Sequence, residues 1–151
     1  MLKKLAALAA LLLSTFAFAA EEPRATPQDA EELVKSAIAF TKRSGREKAF
    51  KEMMNKGGAF IYKDLYIIVI DMKAKILVQG AFPERVGLDA WNAKDTDGVL
   101  YMQDRIKIAQ TTGSGWQEYK FKNPANGKIE PKKVYVERFE DTVFACGAYK
   151  P

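Results

Sequence analysis

A nearly continuous apolar run in the middle of the chain most constrains its fold. Residues 65–71 have the sequence Leu-Tyr-Ile-Ile-Val-Ile-Asp, which is rich in β-branched side chains. A short run of this kind, without alternating polar positions, is typical of a central strand that is covered on both faces. The pattern therefore predicts a sheet with other elements packed on each side.

The patterns around this strand predict an α+β fold. Thr26-Pro27-Gln28-Asp29 is typical of a helix start, with Thr as the N-cap and Pro at the first helical position. Pairs of strands on either side of one crossover helix favour a single antiparallel sheet with helices packed on it. The predicted elements are helices over residues 26–45, 46–55 and 99–109 and strands over residues 65–71, 75–79, 116–122, 132–139 and 142–149.

The first twenty residues have the pattern of a secretory signal peptide. Lys3 and Lys4 precede an apolar stretch, and Ala17-Phe18-Ala19 is a small-x-small site, so we predict cleavage after Ala19. The alternative is an uncleaved anchor, although the apolar stretch is shorter than the ~20 residues of a spanning helix. The predicted organisation is a signal peptide over residues 1–19, a leader over residues 20–25 and one domain over residues 26–151.

The chain lacks several of the side chains that enzymes use most often. The chain has no His and one Cys, which excludes a Ser-His-Asp triad, His-ligated zinc and an internal disulfide. No phosphate-binding loop or nucleophile elbow is present, and Glu31 and Glu32 are expected on a solvated helix face. We therefore expect a protein that binds rather than transforms its partner, with no cofactor and no catalytic residue.

The single cysteine, Cys146, lies in the apolar run over residues 142–149. A buried thiol that acts as a small apolar side chain is the preferred interpretation. The alternative is an intermolecular disulfide, which the oxidising compartment of an exported protein would permit.

Asp95-Thr96-Asp97-Gly98 resembles part of a calcium-binding loop. Ala93 would occupy the first ligand position of such a loop and offers no side-chain oxygen. An Asp/Gly turn that leads into the third helix is therefore the preferred interpretation, and we expect no metal site.

Lysines and aromatic residues are interleaved around the predicted hairpin near residue 125. Such interleaving occurs in nucleic-acid-binding surfaces, but acidic residues dilute this cluster and favour a solvated hairpin without a nucleic-acid partner. A lysine facing inward would have a different role, because a cation on an aromatic-lined sheet can hold a small anion. The lysines are Lys120, Lys122, Lys128, Lys132 and Lys133.

Four aromatic residues of the predicted sheet are either core residues or the walls of a concave site. Buried Tyr and Trp need a partner for their polar hydrogen, so several on one face would supply a pocket with a few polar points. These residues are Tyr66, Trp116, Tyr119 and Tyr135.

The ordered set of motifs resembles the single Cache domain, type 2, over about residues 26–150. Two departures are Gln79, where family members often have His, and Ala74, where the first hairpin usually has Gly. The motifs that carry the resemblance are Asp64–Asp71, Leu77–Gly80, Val86-Gly87, Asp95–Gly98, Gly113–Trp116 with Tyr119, Asn123-Pro124, Pro131-Lys132 with Tyr135-Val136, and Gly147–Tyr149.

The resemblance implies a PAS-like fold, with a long N-terminal helical segment against a five-stranded antiparallel sheet of order 2-1-5-4-3. It also implies an extracytoplasmic pocket beneath the segment between the second and third strands. Such domains usually sense small organic molecules, often short carboxylates, for chemoreceptors and sensor kinases. We therefore expect a periplasmic sensory module that binds a short organic acid and has no membrane insertion after signal cleavage.

The expected pocket combines cations with aromatic hydroxyl groups. Lys132 would attract a carboxylate, Arg85 would be a second cation from the covering segment, and Trp116 would form a wall. Strand alternation places Lys132 and Tyr135 on opposite sides of an ideal strand, so both can contribute only if the strand is bulged. The full set of expected ligand-binding residues is Tyr66, Arg85, Trp116, Tyr119, Lys132 and Tyr135.

A second functional class remains open. The alternative expectation is a periplasmic accessory protein that docks on a membrane receptor or respiratory partner without binding a ligand. A pocket filled by packed side chains and recovery of a periplasmic partner would favour that alternative.

Overall fold

The computed structural model describes residues 24–150, so the predicted signal peptide and the start of the leader lie outside the described residues. The helices are α1 (Pro27–Ser44), α2 (Arg46–Met53) and α3 (Tyr101–Thr111), and a short 3-10 helix covers Pro83–Arg85. The strands are β1 (Ile61–Tyr62), β2 (Leu65–Tyr66), β3 (Ile68–Asp71), β4 (Ile76–Gln79), β5 (Ser114–Lys122), β6 (Ile129–Phe139) and β7 (Thr142–Tyr149).

The main sheet has five strands in the order β4-β3-β7-β6-β5, and all neighbouring strands are antiparallel. Counted over these five strands alone, this is the expected order 2-1-5-4-3. The predicted PAS-like α+β fold is therefore confirmed.

The apolar run over residues 65–71 forms two strands rather than the single strand predicted. Leu65 and Tyr66 pair with Ile61 and Tyr62 in a separate small hairpin, whereas β3 begins at Ile68. The apolar pattern alone does not predict where β2 ends and β3 begins, because the strand that each residue pairs with lies elsewhere in the chain.

Helix α1 begins as its sequence predicts. The Thr26 hydroxyl accepts a hydrogen bond from the Asp29 backbone N–H at 3.1 Å, and the Asp29 carboxylate accepts one from the Thr26 N–H at 2.7 Å. This reciprocal pair satisfies two donors that the first turn leaves open. The apolar face of α1 is buried against the sheet through Ala30, Val34, Ala37 and Ile38.

Residues on the sheet alternate between two buried faces. In β7, Phe144 and Cys146 join the core beneath α1 and α2, whereas Val143 and Ala145 join the core beneath α3. Cys146 is fully buried, and burial raises the pKa of its thiol to about 12. The thiol thus lies in the apolar core, as the preferred interpretation expects.

The turn between β3 and β4 keeps its shape without the usual glycine. Ala74 has φ 64°, in the left-handed region that glycine favours, and its N–H donates to the Asp71 carbonyl oxygen. The conformation is strained for alanine, but its methyl group is fully buried in the core beneath α3.

The two ends of the described chain lie side by side. Arg24 forms an ion pair with Glu130 at 2.8 Å and donates to the Lys150 carbonyl oxygen. Glu130 also accepts from the side chains of Asn123 and Asn126, and these contacts lower the pKa of its carboxyl to about 2. Within residues 24–150, none of the helices has both the length and the apolar character needed to cross a bilayer.

Candidate ligand-binding site

Lys132 is a fully buried cation on the sheet face beneath α3. It pairs in register with Tyr119 on β5 and Tyr149 on β7, and its side chain is 1% exposed. Its Nζ donates a hydrogen bond to the Tyr66 hydroxyl at 3.0 Å and lies 4.1 Å and 4.8 Å from the ring centroids of Tyr66 and Tyr149. Lys132 is thus the lysine, among the five considered from the sequence, whose side chain faces inward.

The hydroxyl groups beside Lys132 form a directed chain of hydrogen bonds. Tyr149 donates to the Lys122 carbonyl oxygen at 2.8 Å, so its hydroxyl oxygen is left to accept from Tyr66 at 3.1 Å. Tyr66 in turn accepts from Lys132. Both tyrosine hydroxyl hydrogens are thereby used in hydrogen bonds, and burial raises the pKa of each hydroxyl.

The Lys132 ammonium group has no carboxylate partner within 4 Å among residues 24–150. An ammonium group carries three N–H donors, and Tyr66 satisfies one of them. Burial without a counterion lowers the pKa of Lys132 to about 7, and the nearby positive charge of Arg105 acts in the same direction. The site therefore favours an anionic group that would restore the charge.

Arg105 is a second fully buried cation on the same face, and sequence reasoning missed it. Its Nε donates to Gln117 Oε1 at 2.9 Å and its Nη2 donates to the Tyr119 hydroxyl at 2.9 Å. No acidic side chain of residues 24–150 lies within ion-pair distance. Two buried cations thus face one side of the sheet without an ion pair, and the Asp64 carboxylate acts on Lys132 only from beyond ion-pair distance.

The sequence does contain a signal for Arg105. Met102, Ile106 and Ala109 mark the buried stripe of α3, and Arg105 has the spacing of that stripe. A charged residue on an otherwise apolar helix face is a candidate functional residue, because buried charges are retained only with specific partners.

Aromatic rings form the walls around these cations. Tyr101 and Tyr119 stack with ring centroids 4.3 Å apart, and Phe121 meets both rings edge-on. Phe82, from the segment after β4, meets the edges of Tyr66 and Phe121. The segment between β4 and α3 therefore covers this face, as the resemblance implied.

Arg85 lies where the covering segment opens to solvent. Its guanidinium carbon is 5.2 Å from the Phe121 ring centroid, and its buried Nε has no hydrogen-bond acceptor among residues 24–150. It borders one cleft of about 290 Å³ with Phe82, Glu84, Phe121 and Lys122. A second cleft, of about 230 Å³, lies on the other side of Arg85.

Trp116 and Tyr135 do not lie with the other predicted site residues. They face each other across β5 and β6 with ring centroids 5.2 Å apart, on the side of the sheet that α1 covers. The register of β6 against β7 is continuous from Lys132 to Phe139, so no bulge turns Tyr135 towards Lys132. The structure therefore brings four of the expected residues, Tyr66, Arg85, Tyr119 and Lys132, to the α3 face and places Trp116 and Tyr135 on the opposite face.

Gly147 makes room for the buried lysine. A Cβ atom at this position would lie 2.5 Å from Val134 Cγ2 and 2.9 Å from Lys132 Cε and the Lys133 carbonyl oxygen. We expect Gly147→Ala to destabilise the protein by about 1–3 kcal/mol, since overpacking forces neighbouring atoms to shift. Urea unfolding measures this loss, and Gly57→Ala is the control, since a Cβ atom there would meet only Asn55 Oδ1, at 3.9 Å. Equal stability of Gly147→Ala and the wild-type protein would contradict the close packing.

The Asp95 loop is organised by hydrogen bonds to its own carboxylate. Asp95 Oδ1 accepts from the backbone N–H groups of Asp97 and Val99, and Oδ2 accepts from the Lys120 N–H at 2.9 Å. These contacts are those of an Asp/Gly turn that ties the covering segment to β5. Gln79, at the position where the family often has His, is buried and its Oε1 lies 3.4 Å from the Ala81 N–H.

The fold defines the class of this protein as a PAS-like α+β domain. The sequence model of the single Cache domain 2 family matches residues 1–149. The chain therefore belongs to the single Cache domain 2 family, which confirms the resemblance.

Solved structures share the fold at low sequence identity. A methyl-accepting chemotaxis protein from Vibrio parahaemolyticus is similar with a TM-score of 0.71 and 18% identity over 81% of this chain and 86% of that chain. A periplasmic sensor domain of a chemotaxis protein gives 0.64 and 21% over 82% and 90%. A Cache chemosensory domain, solved to explain carboxylic acid recognition, gives 0.66 and 18% over 82% and 88%.

Proposed function

We propose that this protein is a sensory domain that binds a small organic anion, with a short carboxylate as the favoured ligand class. One observation carries the proposal: Lys132 and Arg105 are fully buried on one sheet face and have no ion-pair partner among residues 24–150. Burying a charge without a partner costs several kcal/mol, so an anion bound on this face would offset most of that cost.

The arrangement around Lys132 suits a short organic acid. The ligand carboxylate accepts from the two Lys132 N–H groups that Tyr66 does not use, and Phe82 and Phe121 contact its apolar part. Arg85 stands at the cleft mouth as the cation that the ligand meets first. The similar fold of a Cache domain that recognises carboxylic acids supports this ligand class.

The proposal includes export and a signalling partner. The signal-peptide pattern of residues 1–19 and the family membership support a periplasmic location. A membrane receptor or sensor kinase is the proposed partner that reads the occupied state. We assign no chemical step to the site, because its cations and tyrosines serve to bind and orient an anion.

Thermal unfolding with acetate, propionate and lactate tests the ligand class. We expect a saturable rise in Tm of about 5–10 °C at ligand concentrations near 100 times the Kd, because binding to the folded state alone adds about 3 kcal/mol. Sodium chloride at equal ionic strength separates specific binding from general screening.

Two lysine variants locate the bound anion. Lys132→Met is expected to weaken anion binding by about 10–100-fold, the value of one charge-assisted hydrogen bond. Lys133→Met is the matched control, since Lys133 adjoins Lys132 on β6 but points to the opposite face, near Trp116. An unchanged Kd in Lys132→Met would contradict the assigned site. Absence of any response to the three acids would contradict the proposal and favour the docking alternative.

A further inference from the structure

A separate cleft lies beside the small β1–β2 hairpin. Its volume is about 250 Å³, and its lining includes Lys56, Lys63, Asp64, Tyr66, Gly80 and Pro124. The end of α2, the hairpin, the end of β4 and the turn after β5 each contribute one side. Lys132 and Arg105 do not line it.

Asp64 is the chemically conspicuous residue of this cleft. Its side chain is 5% exposed, and its Oδ1 accepts the Ala25 backbone N–H at 3.2 Å. Its Oδ2 is buried and has no hydrogen-bond donor among residues 24–150. A buried carboxylate oxygen without a donor is unfavourable, so a ligand donor that reached Oδ2 from the cleft would relieve this cost.

The charges around the cleft specify that ligand further. Lys56 and Lys63 are exposed at its rim, whereas the carboxylate of Asp64 is buried. The cleft thus pairs an inner negative group with outer positive groups. We propose that it binds a small α-amino acid as a zwitterion, with the ligand ammonium group on Asp64 Oδ2 and the ligand carboxylate at the rim lysines.

This inference goes beyond the anion site and does not depend on it. Tyr66 borders both places, because it lines the cleft and its hydroxyl accepts from Lys132, on which the Asp64 carboxylate acts electrostatically. The ligand ammonium would give Asp64 a charge-assisted hydrogen bond, whereas the exposed rim lysines add less because solvent screens them.

Calorimetric titration of the wild-type protein with L-alanine, ethylamine and propionate tests the proposal. Ethylamine lacks the carboxylate of L-alanine, and propionate lacks its ammonium group. We expect L-alanine to bind more tightly than ethylamine. Asp64→Asn is expected to weaken L-alanine binding by about 10–100-fold without weakening propionate binding.

Three further variants make the result decisive. Asp71→Asn is the matched control, because Asp71 also accepts backbone N–H groups but lies in the β3–β4 turn. Ala125→Leu narrows the cleft at an exposed position and should weaken L-alanine binding even if Asp64→Asn folds poorly. Lys132→Met should retain L-alanine binding and weaken propionate binding by about 10–100-fold.

Each other outcome overturns the inference. Loss of L-alanine binding in Lys132→Met, with or without loss in Asp64→Asn, would assign the amino acid to the anion site. Equal L-alanine affinity in Asp64→Asn and the wild-type protein would exclude Asp64 as the anchor. Absence of saturable binding by glycine, L-alanine and L-serine would show that water alone satisfies the Asp64 oxygen.

Discussion

Lys132→Met is expected to make the ligand-free protein more stable while weakening anion binding by about 10–100-fold. Methionine has nearly the length of lysine and fills the same space without a charge. Replacing a poorly compensated buried charge by an apolar side chain of similar volume stabilises proteins by about 1–4 kcal/mol. Urea unfolding of dialysed protein at pH 7 measures the difference.

The stability advantage of Lys132→Met over the wild-type protein should decrease as the pH rises. Burial lowers the folded-state pKa of Lys132 from 10.5 to about 7, so the unfolded chain binds more protons between these values. Wild-type stability therefore rises with pH through this window, by about 2 kcal/mol between pH 7 and pH 9. Lys132→Met should lack this rise, and its advantage should be largest below pH 7.

Lys133→Met separates the effect of burial from that of losing a lysine. Lys133 is half-buried on the opposite face, so its replacement should change stability by less than about 1 kcal/mol. A lower stability of Lys132→Met than of wild-type protein at pH 7 would show that Lys132 already has a counterion in solution.

Arg105→Met is expected to have the opposite effect on stability. Unlike Lys132, Arg105 supplies two 2.9 Å hydrogen bonds, to Gln117 and Tyr119, that no other described contact replaces. Its loss leaves two buried polar groups unpaired, which costs about 1–3 kcal/mol for each group and outweighs the removal of one charge. We expect a net destabilisation of about 2 kcal/mol in urea unfolding.

Near-ultraviolet circular dichroism adds a local measure of this change. The Arg105 guanidinium lies 5.8 Å from the Tyr119 ring centroid, and Tyr119 stacks on Tyr101, so the aromatic signal should weaken in Arg105→Met. Lys107→Met, at an exposed position of α3, is the control and should retain both stability and signal. Unchanged stability of Arg105→Met would show that Gln117 and Tyr119 find other partners.

The two variants together distinguish a functional cation from a structural one. A residue that lowers stability in the free protein and is needed for binding is typical of a binding site, where polar groups lack partners until the ligand binds. Lys132 is expected to behave in this way. Arg105 is expected to hold Gln117 and Tyr119 in position and so to shape the wall of the same site.

Much of the fold was predictable because its signals are local. The Thr26 cap, the stripe of α1 and the apolar run around Ile68 depend on neighbours within a few residues. The order of motifs then indicated the family and hence the strand order, which periodicity alone does not contain.

The candidate site was predictable only in part. Lys132, Tyr66 and Tyr119 lie on one face as expected, with Arg85 at its opening, whereas Trp116 and Tyr135 lie on the other face. The residue types alone did not distinguish these positions, because an aromatic residue fits either buried face. Arg105 was missed because a charged residue is ordinarily expected at the surface, even at a position with the spacing of the buried stripe of α3.

Local sequence patterns were sufficient to predict the class of fold, the N-cap of α1 and the central apolar segment, because these depend on short-range geometry and on burying apolar surface. Which charges lack an ion-pair partner became clear from the packed structure alone. That property depends on side chains far apart in the chain, such as Tyr66 and Lys132, which are 66 residues apart. Burial sets the energy of a charge, and burial exists only once α3 and the covering segment pack on the sheet.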